Sequence, residues 1–158
     1  MASFYFDSSA LVKYYIVETG TAWVQNLIDS RLDEQWAHAI STSALTWAEV
    51  ISAFVRRHRM GDISTHLYRA FTARFLQEAR LRYGRLRVND AVIEAAVELI
   101  QRHPLRAYDA VQLATALILN SALIADTLPL LTFVSADNVL CEAAQEEGLP
   151  AENPNEHE

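Results

Sequence analysis

Apolar positions fall into short runs of strand length, separated by longer stretches with helical spacing. Residues 3–6 (Ser-Phe-Tyr-Phe) form an aromatic run that stops at Asp7, a buried first strand. Asp7, Ser8 and Ser9 offer capping side chains for a helix over residues 10–15, closed near Gly20. Thr21 is expected to cap a second helix, 22 to about 30. A strand around 39–42 leads to Ser43, the cap of a helix over 44–59 with Trp47, Val50, Ile51, Phe54 and Val55 on its apolar face. Gly61 ends that helix, and Ser64 or Thr65 opens another to about Tyr83. Residues 86–88 read as a brief strand, and Asn89 with Asp90 caps a helix to Arg102. His103 and Pro104 break the chain before a helix over about 106–119 that is apolar on nearly every side. Residues 130–134 form a final apolar strand, followed by Ser135-Ala136-Asp137 and a helix ending at Gly148. Strands alternating with helices need crossover connections. The pattern therefore predicts an α/β protein, a parallel sheet with helices on both faces. Residues 1–150 are expected to form one domain, and 151–158 a tail frayed after one last extended stretch.

Composition narrows the class. One cysteine, Cys141, excludes a disulfide framework and a multi-cysteine zinc cluster. No apolar run approaches the ~18 residues of a membrane span, and no basic segment followed by an apolar one opens the chain, so a cytoplasmic protein without a membrane is expected. The net charge of −7 excludes a globally basic nucleic-acid binder. It conceals an asymmetry, however. Residues 56–87 hold nine of the 13 basic residues, all arginine, against Asp62 and Glu78, for a local charge of +7; the remainder carries −14. Arginine forks suit phosphate or carboxylate, although a solvated helical face would read the same way.

Four carboxylates stand out. Open parallel sheets bind ligands beyond the carboxyl ends of their strands, where both Asp7 and Asp137 are expected. Each is equally an ordinary helix cap. Asp109 lies beside Leu113 and Ala116 on the most apolar helix, where an ionised carboxylate costs several kcal/mol unless it is paired, with Arg106 for example, or ligates a metal. Glu49 lies opposite the apolar face of its helix and reads as exposed, on a stripe with Leu45, Ser52, Ala53 and Arg56.

Together these pieces resemble the PIN-domain ribonucleases, specifically the VapC-type toxins of type II toxin–antitoxin modules. The resemblance rests on four segments spread over nearly the whole chain: Phe6-Asp7-Ser8-Ser9 through Tyr14, Ser43 through Glu49 to Ala53, Leu105 through Asp109 to Leu117, and Leu131 through Asp137, continued by Ala143-Ala144 and Glu147-Gly148-Leu149. It implies a three-layer α/β/α fold around a short central parallel sheet, and an endoribonuclease dependent on Mg2+ or Mn2+. The family's acidic quartet falls on Asp7, Glu49, Asp109 and Asp137 as catalytic and metal-ligating residues, with Ser8 and Ser135 in support. The implied partners are RNA, a cognate antitoxin protein and a second copy of the chain, with Leu11, Tyr14 and Tyr15 as candidates for the self-association surface or, equally, for ordinary core packing. Arg56 and Arg57 are candidates for holding RNA or antitoxin. The alternative is a catalytically inactive PIN-like module that only binds RNA or a partner; a nuclease acting on DNA is another possibility. A response-regulator receiver and a haloacid-dehalogenase phosphatase each need a lysine that this chain lacks after Lys13.

Overall fold

In a computed structural model, residues 1–157 are described. The elements run β1 (Ala2–Phe6), α1 (Ser8–Tyr15), α2 (Thr21–Asp29), a small hairpin of β2 (Arg31–Leu32) and β3 (Gln35–Trp36), then β4 (His38–Ser43), α3 (Ala44–Arg59), α4 (Thr65–Leu81) and β5 (Gly84–Leu86). They continue with α5 (Asp90–Arg102), α6 (Ala107–Ala125), β6 (Thr132–Val134), α7 (Asn138–Glu146), β7 (Ala151–Glu152) and a 3-10 turn over Pro154–Glu156. Five strands form one parallel sheet in the order β5-β4-β1-β6-β7. From β1 the chain winds outward through β4 to β5, then returns to the other side of β1 for β6 and β7. Right-handed crossovers reverse their face when the winding reverses. Thus α1–α4 cover one side of the sheet and α5–α7 the other.

The alternation of β1 shows this directly. Phe6 enters a core with Leu11, Tyr15, Val24, Phe54 and Phe75, whereas Tyr5 enters a second core with Val92, Leu99, Leu113, Phe133 and Leu140. The expected three-layer α/β/α architecture is what the chain adopts. Of the two readings of Leu11, Tyr14 and Tyr15, core packing holds: all three are buried in the first core of a single chain.

Several boundaries differ from expectation. The cap of α2 is Gly20, not Thr21: φ is +85° there, and a side chain would collide with the Pro154 carbonyl. Thr21 Oγ1 accepts the Glu18 amide instead. β5 lies two residues upstream of the expected 86–88, where Gly84 pairs with Ser41. α6 continues to Ala125 because its apparent breakers are satisfied within the fold. Buried Asn120 accepts the Leu131 amide (2.9 Å), and the Ser121 hydroxyl bonds back to the Leu117 carbonyl (3.0 Å). The result is a 19-residue helix of mean hydropathy 1.3, long and apolar enough to cross a membrane by length and composition, although Asp109, Gln112 and Asn120 interrupt its apolar run. Ala110, Leu113, Ala114 and Ala116 bury it in the second core, as a central helix of an α/β layer. The expected last extended stretch is β7, which pairs with β6, but the described residues after it are not frayed: Pro154 is buried and His157 stacks on Trp23. Only Glu158 of that segment lies outside the described residues.

Candidate active site

The winding reverses beside β1, so the carboxyl ends of β1 and β6 flank the crevice that such sheets use for ligands. Asp7 stands there as the cap of α1, with Oδ1 accepting the Ala10 amide at 2.9 Å. Its carboxylate also accepts the Ser9 hydroxyl (2.7 Å to Oδ1) and the Ser135 hydroxyl (2.7 Å to Oδ2), the latter from 128 residues away. These serines are themselves held: Ser135 Oγ accepts the Asp137 amide at 3.1 Å and Ser9 Oγ the Ala136 amide at 2.9 Å. Asp7 is only 4% exposed. Burial pushes its carboxyl up to about 6, against the hydrogen bonds from Ala10, Ser135 and Ser9 and with a small upward push from Glu49. Cap and site residue are therefore one and the same.

Glu49 is half-buried, not exposed, because the polar side of α3 faces the crevice. Its Oε2 accepts the Ser8 hydroxyl at 2.9 Å and its Oε1 the Gln112 amide at 2.7 Å. Gln112, 1% exposed, receives the Tyr5 hydroxyl at 2.6 Å and exchanges bonds with Thr46. Asp109, in the first turn of α6, is not sunk in the apolar core; its side chain is 21% exposed and accepts Arg106 Nε at 3.3 Å. Asp137 caps α7, with Oδ1 accepting the Val139 and Leu140 amides. All four carboxylates line one cleft of about 650 Å3, whose wall and mouth include Glu18, Arg56, Arg57, Arg106 and Tyr108.

Four of the nine arginines in the arginine-rich segment are occupied structurally. Arg57 binds Glu18 at 2.6 Å and Asp62 at 3.5 Å, and Glu18 also takes Lys13 at 3.1 Å. Arg74 binds Glu78 and the Tyr14 hydroxyl, Arg82 binds Asp29 and the Ile28 carbonyl and covers Trp36, and Arg85 covers Trp47. Arg56 is exposed and lines the cleft. Reading the sequence missed Ser9, Gln112 and Tyr108. A signal for Gln112 was present: an amide one turn after Asp109, on a helix too apolar to leave it unpaired.

The donor set tests whether a divalent cation fits. Every candidate ligand is an oxygen, which suits a hard ion and not one seeking nitrogen or sulfur. A dry, ionisable Asp7 carboxylate faces no cationic side chain at hydrogen-bond distance. Among the described residues no three acidic, histidine or cysteine side chains converge tightly enough to cage an ion by themselves. The oxygen donors suit a hard divalent ion, of the kind that keeps several of its waters when bound.

The PIN domain family model matches residues 4–145. No curated protein sequence matches the chain. Among solved structures, FitAcB from Neisseria gonorrhoeae superposes with a TM-score of 0.61 at 17% identity, over 96% of this chain and 97% of that one. The sarcin–ricin loop cleaving toxin VapC20 from Mycobacterium tuberculosis gives 0.60 at 15% identity, over 92% and 95%. A toxin–antitoxin complex from Klebsiella pneumoniae gives 0.55 at 19%, over 98% of each chain. At these identities the structural likeness is one of fold, and the sequence match, running from β1 into α7, carries the classification. The chain belongs to the PIN domain family.

Proposed function

We propose that the cleft is the active site of a divalent-metal-dependent endoribonuclease, the toxin of a toxin–antitoxin pair acting in the cytoplasm. One observation carries this reading: four carboxylates from four separate segments of the chain line a single cleft at the reversal of the sheet. The names of the structural neighbours, two of them toxins or toxin complexes by description, support the biological class.

Asp7, Glu49, Asp109 and Asp137 would hold Mg2+ or Mn2+. When bound, the ion supplies positive charge to the scissile phosphate and makes a water acidic enough to attack phosphorus. The protein does the positioning. Ser9 and Ser135 fix the Asp7 carboxylate, and Ser8 and Gln112 fix Glu49, so neither side chain has to find its orientation during reaction. Asp137, which has one oxygen engaged as a cap, or Asp109 would orient an attacking water. Attack at phosphorus with loss of the 3′ oxygen leaves a 5′-phosphate and a 3′-hydroxyl. An acidic floor repels a polyanion, so exposed Arg56 supplies the phosphate contact, while Arg57 stays committed to Glu18. The expected partners are RNA, an antitoxin protein and a second copy of the chain.

The test is cleavage of structured RNA with Mg2+ or Mn2+, with chelator, and with Asp7→Asn and Asp109→Asn. Metal-dependent cleavage lost in both folded variants is expected. Wild-type protein that binds RNA but leaves it intact under every metal condition would establish the inactive binding module instead.

A further inference from the structure

We infer that Tyr108 is a stacking platform for an unpaired nucleobase beside the scissile phosphate, a subsite that rests on the nuclease reading above. The chain has fifteen aromatic residues. Among the described residues, Tyr108 alone has an exposed ring, 65% accessible. The others have structural employment: Tyr15 packs against Phe54 and Phe75, Trp36 lies between Arg31 and Arg82, Trp23 stacks on His157, and Tyr68 stacks on His58. Tyr108 stacks on no ring or guanidinium and its hydroxyl makes no hydrogen bond among the described residues.

Its place decides the ligand. Tyr108 is the second residue of α6, immediately before Asp109, and lines the carboxylate cleft. Two residues on, Ala110 is fully buried, so the ring projects from backbone that the core holds rigidly. Arg106, 84% exposed, stands two residues before it, and Arg56 lines the same cleft from α3. An exposed aromatic ring and two arginines lining one acidic cleft match a nucleotide: phosphates to the arginines, base on the ring. A peptide rich in carboxylates would satisfy the arginines but not the ring, and the floor would oppose it. A paired base has both faces covered by its neighbours. The platform therefore takes a nucleotide that is already unstacked or can be splayed out.

The experiment measures affinity separately from cleavage. A labelled single-stranded oligoribonucleotide is titrated with the full-length protein in chelator at low salt, and its anisotropy recorded. Tyr108→Ala is expected to weaken binding about tenfold, within the roughly 5- to 150-fold range of base-stacking contacts, while Tyr108→Phe and Tyr108→Trp retain wild-type affinity. Replacing successive nucleotides by abasic ones should reveal one position whose loss weakens wild-type binding but not Tyr108→Ala, a coupling that a purely structural role does not produce. Equal affinities for wild type and Tyr108→Ala, or an abasic penalty identical in both, overturn the platform even when wild type cleaves RNA with Mn2+. Loss of antitoxin binding alone in Tyr108→Ala overturns it equally, in favour of a protein contact. A wild-type chain that neither binds nor cleaves RNA overturns the platform and the nuclease reading together.

Discussion

Replacing Asp7 by Asn should make the metal-free protein more stable while abolishing the RNA cleavage proposed above. The Asp7 carboxyl titrates near 6 in the folded chain against an ordinary 3.8, because burial outweighs its hydrogen bonds. The unfolded chain thus releases this proton first as pH rises. Stability from this group is fully present below about pH 4, falls between 4 and 6, and is lost above that. At about 1.4 kcal/mol per unit, the ionised native carboxylate costs ~3 kcal/mol near neutrality. Asn keeps the cap on Ala10 but presents an amide to one of the serine hydroxyls, forfeiting about 1 kcal/mol of hydrogen bonding. The net gain is about 2 kcal/mol, or roughly 4–8 °C in Tm for a domain of this size. Thermal unfolding in chelator, near neutral pH and again near pH 4, measures it: the advantage of the variant should be large at the first and vanish at the second. Added Mg2+ or Mn2+ should raise the Tm of wild type and leave the variant nearly unmoved. A variant no more stable than wild type at neutral pH, or an advantage that ignores pH, would refute the claim that Asp7 sits unneutralised.

Gln112→Leu should cost about 2–4 kcal/mol in urea unfolding, because it strips partners from Tyr5, Thr46 and Glu49 at once; unchanged stability would show that these groups repair themselves. Arg57→Ala should lower stability by up to ~1 kcal/mol through loss of its Glu18 pair while leaving RNA affinity intact. Arg56→Ala should do the reverse, weakening RNA binding and reducing its salt slope by about 0.7, as expected for one phosphate contact on a single strand. Gly20→Ala should loosen residues 154–156, read as faster amide exchange there, since its side chain would meet the Pro154 carbonyl.

Capping chemistry made the helices legible. Ser43, Ser64 and Asn89 each accept an amide at the helix start their side chains announce. The hairpin of β2 and β3 was invisible because its strands are largely exposed and carry no apolar alternation. Its turn uses Asp33 and Glu34 at φ of 49° and 67°, not a glycine. α6 was read short because Asn120 and Ser121 look like terminators when their partners, distant or one turn back, are unseen. In the site, Asp7 and Asp137 followed from the rule for strand ends. Glu49 did not follow from periodicity, because a helix face turned toward a cleft and one turned toward water have the same polarity. Resemblance supplied its place in the quartet. Ser9 and Gln112 act on the carboxylates only through contacts between segments, which no local pattern encodes.

The bond from Ser135 to Asp7 joins residues 128 apart, and β6, which pairs with β1, follows α1 through α6 in the chain. On the ribosome, Asp7 emerges long before the segment that orients it. A polypeptide released early lacks Ser135, the Ala136 amide and Asp137, and with them the far wall of the cleft. Closing so long a loop is also slow, since chain entropy must be overcome before the contact repays it. A chain that stops before β6 therefore cannot complete the cleft, because one of its walls comes from residues 136 and 137, near the end of the chain.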